Sequence, residues 1–229
     1  MQATIVRNKL LTALPQDEYL RLLGHLEFVY LADGKELCRD GEKSLYVYFP
    51  TTMIVALQHE MRDGSVVEIG VIGREGMVGA HAFFDGCACG TATVQFAGGA
   101  YRTKSAELVE LCQSSKVLRC LLMQYSWTFL FEAAKKFALA HRCSIDQRLS
   151  RWLLERLDRL TVSELKITHK AIASMLGVRR ESVTQAMGKL QDAGLVRCRR
   201  GAVTILDRTR LECLMSADRQ NQAPLGKVA

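Results

Sequence analysis

The stretch that most constrains this chain runs from Ile167 to Gly194, ITHKAIASMLGVRRESVTQAMGKLQDAG. Its pattern is helix, tight turn, helix, stop. Thr168 suits an N-cap, because its hydroxyl can accept an orphan backbone N–H of the first turn. Ile172, Ala173 and Leu176 recur at helical spacing and give the first helix one apolar face. Gly177 allows a sharp corner, with Val178 as an apolar plug behind it. The second helix turns Val183, Ala186, Met187 and Leu190 inward, and Gly194 stands where a left-handed C-terminal cap is wanted. Its outward side holds Arg179, Arg180, Glu181, Ser182, Thr184, Gln185 and Lys189, side chains that reach phosphates and base edges in a major groove. An ordinary helical hairpin with a solvated charged side is the alternative, but the next residues decide against it. Leu195 to Leu206 reads as two short strands about the turn Arg199-Arg200-Gly201, a basic wing. The spacing predicts a winged helix-turn-helix that binds DNA.

Charge supports this placement. Residues 144–210 hold 14 Lys and Arg against 7 Asp and Glu, whereas residues 1–143 hold 15 against 15. The positive excess of this +7 chain therefore sits around the helix-turn-helix, as a polyanion-binding module requires. Residues 1–9 have no apolar core of signal-peptide length, and no apolar run approaches a membrane span. The expectation is a cytoplasmic protein whose eight cysteines are reduced thiols.

The N-terminal half has another period. After a short helix beginning at Pro15-Gln16-Asp17-Glu18, apolar or alternating runs at Leu45–Phe49, Met53–Leu57, Val66–Val71 and Thr91–Phe96 predict strands. Asp33-Gly34, Asp40-Gly41 and Asp63-Gly64 are turn dipeptides at intervals suited to a compact antiparallel barrel or roll. Ser105–Ser114 can form a short helix. Lys116 to about Cys143 is the longest helical pattern, spanning about 40 Å. Its stripe of Leu118, Leu121, Tyr125, Phe129, Ala133, Phe137 and Ala140 is expected to form a homodimer seam, while Leu122, Trp127, Leu130 and Phe131 make a second apolar face. A further helix over Ile145–Leu160 leads into the DNA-reading part. The expected divisions are a sensor roll at 1–115, the dimerisation helix at 116–143, the winged helix-turn-helix at 144–215 and a disordered tail at 216–229. The fold class is α+β.

This order of parts resembles the cyclic-AMP receptor protein/FNR superfamily of bacterial transcription regulators, over nearly the whole chain. The resemblance is most specific in Ile167-Thr168 and in Gly177-Val178-Arg179-Arg180-Glu181-Ser182-Val183-Thr184, and recurs in Tyr48-Phe49-Pro50 and in Gly73-Arg74-Glu75-Gly76-Met77-Val78-Gly79. It implies a cyclic-nucleotide-binding-like β-roll, a homodimer on a pseudo-palindromic site in double-stranded DNA, and RNA polymerase as a partner. By position Arg180 and Glu181 match the family's base-reading pair, and their chemistry agrees: Arg can fork onto guanine, and Glu can accept from cytosine N4. Gln185 stands where the family commonly has Arg and suits adenine better, so an altered half-site is expected. Thr168, His169, Arg179, Ser182, Thr184, Lys189, Arg199 and Arg200 are the expected phosphate or flanking contacts.

In the effector region the resemblance requires a Glu for the ribose and an Arg for the cyclic phosphate. Here Gly76-Met77-Val78-Gly79 puts Met in place of the carboxylate, and no Arg precedes Thr91-Ala92 in Cys89-Gly90-Thr91-Ala92. A buried phosphate without a cation is costly. Gly76, Met77, Gly79, Gly90 and Thr91 are therefore read as a degenerate effector pocket, with Arg74 and Arg102 as the arginines that could enter it from elsewhere. Cys87-Ala88-Cys89 beside His81 and Asp85 is a weak candidate for redox or metal chemistry, and no cofactor or metal is expected. The rival reading is a regulator gated by a cyclic nucleotide, redox state or metal through the roll. No nucleophile–base pair, phosphate-cradling loop or paired carboxylates point to an enzyme.

Overall fold

A computed structural model describes residues 8–84, 86–140, 142–160 and 164–216, without the side chains of residues 139, 140 and 216. Asp85, the Ala140 side chain and the expected tail from residue 217 onward lie outside the described residues. The chain divides into two compact units, Met1–Lys135 and Lys136–Ala229.

In the first unit, α1 (Lys9–Thr12) and α2 (Gln16–Leu23) precede β1 (Glu27–Leu31), β2 (Glu36–Cys38), β3 (Tyr46–Pro50), β4 (Ile54–Glu60) and β5 (Val66–Ile72). A 3₁₀ turn over Ala80–Phe84 leads to β6 (Thr91–Phe96), β7 (Gly98–Lys104), α3 (Ser105–Ser114) and α4 (Lys116–Ala140), which continues into the second unit. The strands form two antiparallel sheets, ordered β1-β7-β3 and β2-β6-β4-β5. The three Asp-Gly turns stand as expected, with φ near +78° at Gly34, Gly41 and Gly64, where an L side chain would be strained.

Strand β3 explains how one sheet serves two cores. Tyr46 and Tyr48 point to the roll interior with Met53, Val55, Ile72, Val94 and Ala100. Val47 and Phe49, on the alternate face, join Leu10, Leu11, Leu22, Leu108, Leu118 and Leu122 on the helix-covered side. Buried Asn8 caps α1 and fastens it to the roll. Its Oδ1 accepts from the Leu10 and Leu11 amides, and its Nδ2 donates to the carbonyls of Pro50 at 2.9 Å and Gly76 at 2.8 Å.

The long helix departs from the expected seam. Leu118 and Leu122 are buried in the helix-side core, Leu121 and Tyr125 pack against it, and Phe129 packs on the roll interior. Four of the seven expected seam residues, Leu118, Leu121, Tyr125 and Phe129, thus cover their own roll. Full burial of a side chain such as Leu118 contributes about 1.5–3 kcal/mol. The cause is an apolar surface all round the helix, which leaves its pattern with more than one face. Val117, Met123, Trp127, Leu130, Phe131 and Phe137 stay exposed.

The second unit holds α5 (Ile145–Arg159), β8 (Glu164–Lys166), α6 (His169–Leu176), α7 (Arg180–Asp192), β9 (Val196–Arg199), β10 (Ala202–Ile205) and α8 (Arg208–Ser216). Helix α5 begins in a capping box between Ser144 and Gln147. Leu149, Leu153, Ile172, Val183, Met187, Leu190, Leu195, Val203 and Leu211 are among the buried apolar residues of this unit. The expected two-stranded wing is a three-stranded sheet, β8-β10-β9, closed by a turn with Gly201 at φ +73°. Among the described residues no helix is long and apolar enough to cross a membrane.

Candidate nucleic-acid interface

Helices α6 and α7 are set by two left-handed glycines. Gly177 ends α6 at φ 61°, ψ 41°, and the Val178 N–H donates to the Ala173 carbonyl at 3.0 Å. Gly194 (φ +72°) ends α7, and the Leu195 N–H closes onto the Leu190 carbonyl at 2.9 Å. Thr168 caps α6 as expected, its hydroxyl accepting from the Ala171 N–H at 3.2 Å. The Arg148 guanidinium of α5 donates to the Leu176 carbonyl, satisfying an orphan acceptor at the corner.

With Val183, Ala186, Met187 and Leu190 buried, the opposite side of α7 is presented outward. Arg179, Arg180, Glu181, Thr184, Gln185 and Lys189 are exposed, and Ser182 is partly so. Their partners divide them. Among the described residues Arg179, Arg180, Glu181 and Gln185, with Lys170 at the start of α6 and Arg199 and Arg200 at the wing turn, have no protein partner for their side chains. Lys189 differs: its ammonium lies 3.0 Å from the Asp146 carboxylate of α5. Thr184 and His169 also meet each other. The Thr184 hydroxyl donates to the Arg180 carbonyl at 3.1 Å, so it accepts from His169 Nδ1 at 3.2 Å. The Gln191 side chain accepts the Cys198 N–H at 2.9 Å and ties α7 to the wing.

This surface can do one thing well. Unpaired cations at the start of α7 and on the wing offer phosphate contacts, while Arg180, Glu181 and Gln185 carry the donors and acceptors that base edges require. Arg148 and Gln191 escaped the sequence reading because each acts on a backbone group distant in sequence, which helical or strand periodicity does not register.

The residues expected to line the effector pocket make contacts within the roll and with α4. Met77 is buried in the helix-side core, and Tyr125 Oη donates to its carbonyl at 3.3 Å. A Cβ placed on Gly76 would collide with that hydroxyl, and one on Gly70 would stand 2.6 Å from the Phe129 ring. Gly79 (φ +101°) and Gly90 (φ +133°) hold left-handed turns, and the Thr91 hydroxyl accepts the Asp40 N–H at 3.3 Å. Arg102 already has partners: it pairs with Glu27 at 2.8 Å and lies over the Tyr46 ring at 4.3 Å. His81 Nε2 stands 2.9 Å from Ser44 Oγ, and burial holds its pKa below the ordinary value. Cys87 and Cys89 are exposed, and no group of three metal-ligand side chains occurs among the described residues.

Residues 147–214 match the family described as the Crp-like helix-turn-helix domain. No curated protein matches the chain in sequence. Among solved structures, the chain is similar to FixK2 from Bradyrhizobium japonicum, at 19% identity over 82% of this chain and 96% of that one, with a TM-score of 0.72. A CRP/FNR-family transcriptional regulator from Thermus thermophilus aligns at 22% identity over 83% and 98%, with a TM-score of 0.66. The c-di-GMP-responsive global regulator CLP of Xanthomonas campestris aligns at 18% identity over 84% and 100%, with a TM-score of 0.67. The shared feature at these identities is the fold.

Proposed function

We propose that this protein, which belongs through residues 147–214 to the Crp-like helix-turn-helix family and has the fold of CRP/FNR-family regulators, controls transcription as a sequence-specific DNA-binding homodimer. The observation that carries the reading is the row of exposed, unpartnered Arg180, Glu181 and Gln185 on a helix whose opposite face is the core. Arg180, Glu181 and Gln185 read bases. Arg179, Lys170, Arg199 and Arg200 hold phosphates, and Thr168, His169, Ser182 and Thr184 shape the backbone contact. Lys189, held by Asp146, belongs to the support of α7.

The second copy docks on the exposed side of α4. Cys120, Met123, Trp127, Leu130, Ala134 and Phe137 are exposed and recur at spacings of three and four, the repeat of a two-stranded helical seam. This stripe replaces most of the one expected from sequence and keeps Phe137.

DNA binding proceeds without cyclic-nucleotide gating. Met77 in place of a carboxylate, Arg102 paired with Glu27, and Tyr125 against Gly76 take away the ribose and phosphate partners that the resemblance requires. RNA polymerase is the further partner that such a regulator engages.

The test is Arg180→Ala on a duplex selected from random sequence by the purified protein. Binding weakens by about 1–3 kcal/mol and specificity relaxes at one base pair of each half-site. Uniform weakening on all sequences would reduce Arg180 to a phosphate contact.

A further inference from the structure

Of the three glycines in and around α7, two are explained by the backbone: Gly177 and Gly194 hold positive φ. Gly188 is the third, and nothing inside the protein calls for it. It lies within the 13-residue helix Arg180–Asp192 without a positive φ, and a Cβ built on it would meet nothing within 4 Å. At Gly70, Gly76 and Gly98, by contrast, close packing accounts for glycine: a Cβ would fall 2.6 Å from Phe129 at Gly70, against the Tyr125 hydroxyl at Gly76 and 2.5 Å from the Met53 amide at Gly98. Glycine is among the poorest residues for a helix interior, so α7 is weakened where its own fold gains nothing in return. The position is telling. Gly188 follows Glu181 by seven residues, Thr184 by four and Gln185 by three, so it continues the outward face of α7 and lies opposite the buried Val183, Ala186, Met187 and Leu190.

We infer that Gly188 is a specificity-determining position at which the α7 backbone comes against the DNA, with glycine there because any side chain would hold the helix off the groove. Absence of a Cβ is what a close approach of backbone to a ligand demands. The inference rests on the DNA-binding reading above and adds to it the depth at which the helix sits. Base pairs facing Glu181 and Gln185 are then discriminated through that depth as well as through the side chains themselves.

The experiment compares the full-length wild type with Gly188→Ala, Gly188→Leu and Arg180→Ala, by melting and by titration with the duplex that the wild type selects from random sequence. The space around Gly188 is open, so Gly188→Ala is expected to melt about 2–6 °C higher while binding the selected duplex about tenfold more weakly, a cost of about 1.4 kcal/mol. Gly188→Leu is expected to lose at least as much affinity. Substituted proteins that bind within about twofold of wild type would overturn the inference, while the loss in Arg180→Ala would leave the DNA-binding reading standing. A lower melting temperature for Gly188→Ala would also overturn it, by revealing an internal role for the glycine. A wild type that selects no sequence would overturn the DNA-binding reading, and this inference with it.

Discussion

Lys189 and Asp146 form an ion pair across α7 and α5, with Nζ 3.0 Å from the carboxylate. The pair sets Lys189 apart from the unpaired arginines of this surface. A lysine neutralised within the protein releases few counterions when DNA binds, whereas an unpartnered arginine in contact with phosphate releases about one.

Salt dependence distinguishes the two. Arg179→Ala and Arg200→Ala are expected each to lower the slope of log K against log salt by about 1, whereas Lys189→Ala leaves the slope near the wild-type value. Binding titrations across a salt series check this. A slope that falls in Lys189→Ala as far as in Arg200→Ala would return Lys189 to the phosphate contacts.

The two faces of α4 give opposite phenotypes. Trp127 is 70% exposed, so Trp127→Glu is expected to leave the fold intact and convert the dimer to monomer in sedimentation equilibrium. Leu118 is 2% exposed in the roll core, so Leu118→Ala is expected to lower stability by about 2–5 kcal/mol while dimers persist. Oxidative cross-linking through Cys120, absent in Cys120→Ser, would place the two copies of α4 side by side and parallel.

Burial raises the Cys112 thiol to about 11 from an ordinary 9.0. At pH 8 about one Cys112 in a thousand is thiolate, so a disulfide reagent is expected to label the exposed Cys87, Cys89 and Cys213 first and Cys112 only on unfolding. The sign of the linkage follows: the unfolded thiol loses its proton first, so the contribution of Cys112 to stability is present below pH 9 and is lost as pH rises toward 11. Denaturation at pH 8 and 10.5 should therefore show a smaller loss in Cys112→Ala than in wild type.

Much of the architecture is legible from residues alone, for identifiable reasons. The α6–α7 corner declares itself through Thr168, Gly177 and Gly194, each of which caps or turns the backbone in the way its side chain dictates. Strand β6 and helix α3 stand at their expected residues, Thr91–Phe96 and Ser105–Ser114. Strand β7 escapes because it opens with Gly98 and Gly99, residues of low strand propensity that are present because Met53 and Phe28 leave no room for a Cβ. Helix α8 escapes because, among its described side chains, only Leu211 is fully buried. The stripe expected to be the α4 seam meets the roll over much of its length. An all-round apolar helix has two stripes, and only the tertiary fold chooses which one is covered. Of the candidate interface, sequence singles out the exposed Arg180, Glu181 and Gln185 proposed to read bases, but Lys189 and Asp146 lie 43 residues apart and no local pattern records their pairing.

The central claim is a sequence-specific DNA-binding dimer whose affinity does not depend on a cyclic nucleotide. Its most direct test is the affinity of the purified protein for the two-fold-symmetric duplex it selects, measured with and without cyclic AMP. The account predicts tight binding that cyclic AMP changes by no more than about twofold, well under one factor of ten or about 1.4 kcal/mol. Binding that appears only with cyclic AMP, or no selected sequence at all, would contradict it.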